Sequence, residues 1–306
     1  MSALLDSSGS ARDLVQMDLL SWSPEPREPR PVVKWVGGKT KLLPELLARM
    51  PPSFERYYEP FAGGAALFFR VAPTRAAGSV VLGDANADLI AMYRAVADDV
   101  ESVIARLWSH SVQHSEQHFA YVRGAWNRNS MHDGPIDRAA AFIYLNKTCF
   151  NGLWRVNRAG ELNSPWGKHA TFVPDHGALR LASSVLQRAD LRASGYRETM
   201  RDVGPSDFAF MDPPYVPASA TANFTSYTAD AFGPEQQREL ADTALKLVKR
   251  GCRVMLSNSD TPYVRELYSD FRIDSVKCSR AINSKSSGRG AVGEVIIIGG
   301  YEPEAA

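Results

Sequence analysis

Cysteine is scarce in this sequence, and a long apolar run and an excess of one charge are absent from it. Its three cysteines, Cys149, Cys252 and Cys278, lie far apart in 306 residues. An odd and widely spaced set excludes a disulfide framework and predicts a reducing, cytoplasmic setting. No apolar run approaches the roughly 18 residues that a transmembrane helix needs, so no membrane partner is expected. The first twenty residues also lack the basic start and apolar block of a signal peptide.

Net charge is nearly zero, because 35 Lys and Arg stand against 34 Asp and Glu. The apolar share of 44% and the charged share of 23% are those of a folded globular chain. The charges are unevenly placed. Residues 120–200 carry eleven basic and six acidic side chains, and residues 277–293 carry four basic ones and no acid. Such basic segments are candidate phosphate contacts, so overall neutrality does not exclude a nucleic-acid partner.

Strand and helix patterns alternate along most of the chain. The strand patterns lie at 56–60, 80–84, 208–211, 253–256, 271–276 and 294–298. The helical patterns lie at 41–50, 65–71, 88–107, 116–127, 137–147, 177–188 and 234–250. Strands separated by helices predict an α/β fold with a mostly parallel, Rossmann-like sheet. A Gly/Ser-rich loop joins the last two strands and predicts a C-terminal antiparallel hairpin.

The same patterns predict how the chain is divided. Residues 1–30, rich in Pro and charge, are expected to form a flexible extension. Residues 31–105 and 197–306 carry the strands and form the two parts of one sheet domain. From about Arg106 to Gly195 strand signals fade, so 106–196 is expected to be a mostly helical insert.

The sharpest chemical signal is Asp212-Pro213-Pro214-Tyr215, directly after a buried strand. Two prolines cannot continue a sheet ladder, so the strand ends and the backbone turns stiffly. The Asp212 carboxylate and the Pro213 carbonyl then form a rigid pair of acceptors beside an aromatic ring. Such a group suits a planar exocyclic amine, whose two N–H groups bind the oxygens while its ring stacks on Tyr215.

A second signal is Glu59-Pro60-Phe61-Ala62-Gly63-Gly64-Ala65, which has the form strand, glycine turn, helix. Small residues here let a ligand approach the backbone at the carboxyl end of a strand. Asp84 ends the next predicted strand, where a carboxylate can bind ribose hydroxyls. Together these features favour a nucleoside-binding half-sheet, with plain α/β packing as the alternative.

Histidines spaced four apart, His110, His114 and His118, raise the question of a metal site. No Cys or carboxylate array accompanies them, and a stripe of solvated or partly buried histidines explains the spacing. No metal is therefore expected.

From about Val33 to Tyr301 the chain resembles the Dam-type (D12 class) DNA adenine-N6 methyltransferases. K-W-V-G-G-K is similar to the family's N-terminal motif, and E-P-F-A-G-G-A to its cofactor loop, with Ala65 in place of a glycine. V-L-G-D-A-N-A-D-L-I resembles the segment with the ribose-binding acid, and D-P-P-Y matches the catalytic tetrapeptide. Y-L-N-K-T-C-F-N-G-L-W-R-V-N resembles the target-recognition insert. The loop Ser219–Tyr227 is similar to that of enzymes that modify the adenine of GATC.

The resemblance implies a role for each matching residue. It places the catalytic site on Asp212, Pro213, Pro214 and Tyr215. It places binding of the cofactor S-adenosylmethionine on Trp35, Lys39, Phe61, Gly63, Asp84 and Asp212. It places DNA contacts on Lys34, Phe150, Asn151, Leu153 and Arg155. For Phe150, a place in the core of the insert is the alternative. A methyltransferase-type Rossmann-like sheet with an inserted DNA-recognition domain is the implied fold.

The resemblance also implies the reaction: methyl transfer to adenine N6 of double-stranded DNA, within GATC, by base flipping and direct in-line transfer. No obligate protein partner is implied. Three alternatives stay open. The first is methylation of another amine, such as cytosine N4, an RNA base or a protein glutamine. The second is the same chemistry at another site in a restriction-modification system. The third is a DNA-binding regulator without catalysis.

Overall fold

A computed structural model of the chain describes residues 28–129, 134–217, 232–277 and 293–303. Three sequence predictions lie wholly or mostly outside the described residues: the N-terminal extension, the loop Ser219–Tyr227 and the basic segment 277–293. The strands and helices given below all lie within the four described ranges.

Seven strands of the described residues form one central sheet. They are β1 (Tyr57–Glu59), β2 (Val80–Asp84), β3 (Ala189–Ala193), β4 (Phe208–Met211), β5 (Arg253–Ser259), β6 (Arg272–Lys277) and β7 (Gly293–Gly299). Their order across the sheet is β3-β2-β1-β4-β5-β7-β6. The first five in this order are parallel, and β7 runs antiparallel to both β5 and β6. The predicted mostly parallel sheet with a C-terminal hairpin is confirmed.

Helices connect most of these strands. They are α1 (Leu43–Leu47), α2 (Phe68–Val71), α3 (Ala87–Asp98), α4 (Val100–Val112), α5 (Glu116–Asn127), α6 (Pro135–Thr148), α7 (His176–Leu186), α8 (Tyr196–Thr199), α9 (Pro234–Lys249) and α10 (Pro262–Leu267). Short 3₁₀ turns lie at Lys39–Lys41, Ala72–Thr74 and Phe150–Gly152. Within the described ranges, no helix is both long enough and apolar enough to cross a membrane.

The sheet is buried on both faces, each of which packs against its own hydrophobic cluster. Successive side chains of a strand point to opposite faces, so neighbouring residues belong to different clusters. Tyr57 and Phe208 belong to one hydrophobic cluster, whereas their neighbours Tyr58 and Ala209 belong to the other. The helices α3 to α7 pack into the first cluster, with α3 lying against both α6 and α7. The second cluster includes the buried face of α9. The two faces together fix the positions of the strand ends.

Two helix predictions need correction. The pattern at 88–107 predicts one helix, but α3 and α4 are separated at Asp99, which leaves the helical conformation. Its carboxylate accepts a 3.1 Å hydrogen bond from the backbone N–H of Ser102, the usual role of Asp at a helix start. The helix predicted from Ala65 begins instead at Phe68, since Ala65 has a φ of 55°.

The expectation that strands fade between Arg106 and Gly195 is wrong at β3. Among the described strands, this edge strand pairs only with β2, and it is half-exposed. Its Arg192 forms ion pairs with Asp190 and Asp202. Charged side chains are common on edge strands, where they discourage pairing with other chains. They also remove the continuous apolar pattern by which the central strands are recognised.

Candidate active site

The carboxyl ends of β1 and β4 meet near the centre of the sheet. Strand β1 has β2 on one side and β4 on the other. The strand order therefore reverses between β1 and β4. Ligands of doubly wound sheets bind in the crevice outside such a reversal. Glu59 ends β1, and Asp212 directly follows β4. The two sequence signals therefore meet at one edge of the sheet.

The turn after β1 consists of small residues in an unusual backbone conformation. Gly63 has a φ of 45° and Ala65 a φ of 55°, in the left-handed region that glycine favours. A methyl group on Gly63 would lie 2.6 Å from Cδ1 of Trp35, so the indole packs directly over this glycine. The Tyr93 hydroxyl donates a 2.8 Å hydrogen bond to the Gly63 carbonyl. Both the backbone conformation and the covering ring thus require glycine at this position.

Asp84 holds this turn from the end of β2. Its Oδ2 accepts a 3.0 Å hydrogen bond from the backbone N–H of Gly63, and its Oδ1 accepts a 2.8 Å bond from Asn86. Burial raises the pKa of Asp84, and the two N–H donors oppose that rise. A carboxylate has about four lone-pair positions, so it can still accept two hydroxyl groups from a ligand.

Phe61 belongs to an aromatic cluster beside the glycine turn. Its ring stacks on Tyr196 with 5.4 Å between centroids, and meets Phe232 edge-on at 5.8 Å. The three rings give this side of the crevice flat apolar surfaces of the kind that bind planar groups.

Asp212 is held through one of its two carboxylate oxygens. Oδ1 lies 2.8 Å from Nζ of Lys39 and accepts a 2.6 Å hydrogen bond from Ser257. Oδ2 makes no hydrogen bond with the described residues. Lys39 also donates a 2.5 Å bond to the carbonyl of Gly37 and lies 4.6 Å from the centroid of the Tyr215 ring. The protein therefore fixes one oxygen of Asp212 and leaves the other for a ligand.

Buried amides hold the backbone of the residues that follow. The side chain of Gln237 donates a 2.7 Å hydrogen bond to the Pro214 carbonyl, and Asn258 accepts a 3.1 Å bond from the backbone N–H of Val216. Asn258 and Gln237 also bond to each other at 3.1 Å. In the described part of the chain nothing donates to the Pro213 carbonyl. The turn is thus rigid, and the Pro213 carbonyl keeps its acceptor positions for a ligand.

The Tyr215 ring is fixed at its hydroxyl, which donates a 3.0 Å hydrogen bond to Oε2 of Glu294 on β7. Glu294 is only 7% exposed. Burial, followed by the negative charges of Asp212 and Glu294, raises the pKa of Tyr215 well above its ordinary value. The phenol therefore stays protonated and keeps donating to Glu294, which sets the plane of the ring.

Glu59 adds a second carboxyl group beside Asp212. Burial raises its pKa to about 8, while the hydrogen bond from Tyr57 opposes the rise and the charge of Asp212 adds to it. Tyr57 donates that bond over 2.6 Å. Glu59 is therefore mainly protonated at neutral pH.

The segment from Lys34 to Lys39 connects this site with residues 149–167, which we call the 149–167 segment. The backbone N–H of Lys34 donates to Oδ1 of Asn146 at 2.9 Å, and Nδ2 of Asn146 donates to the Lys34 carbonyl at 2.8 Å. A methyl group on Gly152 would lie 2.6 Å from Cδ of Lys34. Lys34 therefore packs against the 149–167 segment, while Trp35 covers the glycine turn and Lys39 reaches Asp212.

Four of the predicted DNA contacts lie on the 149–167 segment. Phe150 is 52% exposed, although Trp154 close by is buried in the core. The neighbouring Asn151 is exposed with a φ of 57°, and Leu153 is half-buried. Arg155 is exposed. The exposure of Phe150 argues against its alternative place in the core.

A family model described as D12 class N6 adenine-specific DNA methyltransferase matches residues 35–282. The chain belongs to this family. It is 37% identical over 277 residues to the type II methyltransferase M1.LlaDCHI of Lactococcus lactis subsp. cremoris, covering 88% of this chain and 94% of that protein. It is 34% identical over 278 residues to the DNA adenine methylase of Escherichia coli K12, covering 90% and 96%. The family predicted from the motifs, and the adenine-specific DNA methyltransferase activity, are confirmed.

In this D12-class methyltransferase, several residues around the D-P-P-Y turn were missed by sequence reasoning. They are Gln237, Ser257, Asn258 and Glu294. Asn146, which holds the backbone of Lys34, was also missed. Four of these residues, Asn146, Ser257, Asn258 and Glu294, are polar residues inside or directly beside an apolar buried segment, and Ser257-Asn258-Ser259 directly extend a strand pattern. Gln237 lies in the polar run 235–239 and has no such signal. Buried polar groups are costly unless they are hydrogen-bonded, so such positions indicate partners elsewhere in the fold.

The spaced histidines of this methyltransferase pack among aromatic rings. Nδ1 of His110 lies 3.0 Å from Nε2 of His118, and Nδ1 of His114 lies 3.1 Å from the hydroxyl of Tyr144. The His110 ring stacks on Tyr144 with 4.8 Å between centroids. Over the described ranges, no group of three or more His, Cys, Asp or Glu could hold a metal ion.

Proposed function

We propose that this enzyme transfers the methyl group of S-adenosylmethionine to N6 of an adenine flipped out of duplex DNA, within GATC. The observation that carries the proposal is the D-P-P-Y turn. Oδ2 of Asp212 and the carbonyl of Pro213 both lack hydrogen-bond donors among the described residues. Pro214 and Tyr215 are each held in place by a buried side chain.

The residues at the ends of β1 and β2 fit S-adenosylmethionine. Trp35 and Asp84 together hold the shape of the turn at Gly63, and Asp84 retains acceptor positions for ribose hydroxyls. Phe61, with the rings beside it, offers a surface for the adenine ring of the cofactor. Trp35 shapes the glycine turn, and Lys39 places a positive charge next to Asp212. When bound, the cofactor supplies a methyl group on a sulfonium, which is an electrophile.

The amine of the target base is the nucleophile, and its lone pair is delocalised into the ring. Asp212 and the Pro213 carbonyl accept its two N–H groups, which favours the geometry in which the lone pair points at the methyl group. The new N–C bond forms as the C–S bond breaks, and N6 then loses one proton, for which Asp212 is the adjacent base. Tyr215 stacks on the adenine. Positioning and electrostatics carry this chemistry, without a covalent enzyme intermediate.

Base flipping is part of the proposal because the Asp212 side chain is only 19% exposed, so an adenine inside a duplex would not reach this side chain. Removing it from the stack costs a few kcal/mol. We assign the exposed Phe150 ring and Leu153 to insertion into the duplex, where they fill the space that the flipped adenine leaves. The exposed Asn151 lies between them in the chain. They belong to the predicted recognition insert 106–196, whose basic side chains would contact phosphates.

Arg155 and Lys34 are the residues that we assign to base recognition, because a guanidinium fork suits O6 and N7 of guanine. The assignment of GATC rests on the similarity of Ser219–Tyr227 to the loop of GATC enzymes. A second candidate is the same reaction at another sequence within a restriction-modification system. It is favoured by the relative that is named a type II methyltransferase.

Duplexes with one adenine in GATC, and duplexes with a single base pair of that site changed, test the proposal. We expect methylation of GATC at least a hundredfold faster than of the changed sites. With 2-aminopurine in place of the target adenine, binding should change its fluorescence as the base leaves the stack. Equal rates on all duplexes would refute GATC specificity, and methylation with unperturbed 2-aminopurine would refute base flipping.

A further inference from the structure

Arg155 already has a fixed orientation without DNA, because Asn163 holds one edge of its guanidinium. Nε of Arg155 donates a 2.8 Å hydrogen bond to Oδ1 of Asn163, and Nη2 lies 3.4 Å from the Asn163 carbonyl oxygen. Both residues are exposed. An exposed arginine usually samples many rotamers, so two contacts from one neighbour are a specific restraint.

The backbone beneath this pair is also rigid. Arg155 and Asn163 lie opposite each other in a small hairpin closed by the bridge between Val156 and Leu162. The N–H of Asn163 donates to the Arg155 carbonyl at 2.9 Å. The N–H of Arg155 donates to Oγ of Ser164 at 3.0 Å, and Ser164 is buried. The Arg155 side chain thus starts from a fixed base and is held again at its guanidinium.

These contacts determine which donors are left for a ligand. A guanidinium has five N–H donors in one plane. Asn163 binds the side of the guanidinium formed by Nε and Nη2. The N–H groups of Nη1 and the second N–H of Nη2, at the tip of the side chain, are left to bind a ligand. Two parallel N–H groups at that end match O6 and N7 of a guanine.

We propose that Asn163 is a positioning residue for sequence specificity, which presents the Nη1–Nη2 end of Arg155 to a guanine. This inference rests on the proposed role of Arg155 in base recognition. Asn163 acts through Arg155 rather than by touching a base itself. Its effect should therefore appear in the discrimination between sites, and should vanish when Arg155 is absent.

The test compares four variants: Asn163→Ala, Asn157→Ala, Arg155→Ala and the double variant Asn163→Ala/Arg155→Ala. Asn157 is the matched control, since it holds the turn of the same hairpin through Glu161 and Ala159. None of its hydrogen bonds with the described residues is to Arg155. Discrimination is the ratio of kcat/KM on the preferred duplex to that on a duplex with the guanine replaced. Thermal melting of each variant confirms that it is folded.

We expect Arg155→Ala to lower discrimination roughly 10- to 100-fold, as for the loss of one bidentate contact. Asn163→Ala should lower it roughly 3- to 10-fold, because Arg155 is still present but must be ordered on binding. Asn157→Ala should leave it unchanged. The double variant should match Arg155→Ala alone. Asn163→Asp, which keeps the acceptor for Nε, should restore discrimination while it weakens DNA binding at every site.

Three results would overturn the inference. Equal losses of kcat/KM on both duplexes in Asn163→Ala would make Asn163 a phosphate contact. An equal loss of discrimination in Asn157→Ala would make its role one of hairpin stability. A further loss of discrimination in the double variant would show that Asn163 reads the base independently. If Arg155→Ala itself leaves discrimination intact, the proposed recognition role of Arg155 is what fails.

Discussion

Replacement of Gly63 by alanine is a direct test of how the cofactor turn is built. The added Cβ would lie 2.6 Å from Cδ1 and 3.0 Å from Nε1 of Trp35, closer than non-bonded atoms can approach. The residue also has a φ of 45°, which costs an alanine about 1–2 kcal/mol. The substitution therefore combines a strained backbone with a clash against a ring that covers the turn.

Gly78 separates these two effects. It has a φ of 77° and nothing within 4 Å of a Cβ built on it, so Gly78→Ala adds backbone strain without a clash. The unfolded chain loses similar entropy in both variants, and this contribution cancels in their difference. What remains is the cost of moving Trp35, about 1–3 kcal/mol for overpacking of a well-packed site. Gly63→Ala should be less stable than Gly78→Ala by that amount.

Urea denaturation gives the two free energies of unfolding, and titration calorimetry gives the affinity for S-adenosylmethionine. We expect Gly63→Ala to bind the cofactor at least ten times more weakly than the parent enzyme, because the displaced indole and turn border its proposed site. Gly78→Ala should bind it normally. Equal stabilities of the two variants, together with normal cofactor binding by Gly63→Ala, would refute the close packing of Trp35 on this turn.

Three further predictions concern single side chains. Asp212→Asn should lower the single-turnover rate about 10²- to 10³-fold, as for the loss of one electrostatic contact to the reacting group; a rate within threefold of the parent would contradict its role. Glu294→Gln keeps an acceptor for the Tyr215 hydroxyl and should stay within about threefold in rate, whereas Glu294→Ala should lose about tenfold, or one hydrogen bond; equal rates would show that the bond is unimportant. Burial and the neighbouring His118 lower the pKa of His110 to about 4, so the unfolded chain binds more protons below pH 6.5 and stability falls as the pH drops from there towards 4. The free energy of unfolding, measured by urea denaturation, should fall by up to about 2 kcal/mol between pH 7 and pH 5 because of His110. His110→Gln should make this fall smaller, and an unchanged pH dependence in that variant would refute the lowered pKa of His110.

The central strands and the ends that carry Asp84 and Asp212 were predictable from the sequence, because fully buried parallel strands are short continuous apolar runs. The polar edge strand β3 lacks that pattern. The break at Asp99 was missed since both flanking helices continue the same apolar spacing. Local patterns thus indicate where an element lies better than where it ends.

The contacts within the site depend on tertiary structure and have no local signal. Lys39 was assigned to the cofactor, and only the fold brings its ammonium group to Asp212. Likewise, the contact from Glu294 to Tyr215 requires that β7 lie between β5 and β6. The sequence can identify a polar residue in a buried strand, but its partner is defined by the order of the strands.

The most direct test of the enzyme's chemistry uses S-adenosylmethionine with a deuterated methyl group and duplex DNA, followed by mass spectrometry of the nucleosides. We expect the label on N6 of adenine with the parent enzyme, and none above background with Asp212→Ala of equal thermal stability. Label on cytosine N4 alone, no label on any base, or undiminished adenine labelling by Asp212→Ala would each contradict the assignment of Asp212 as the acceptor for the adenine amine.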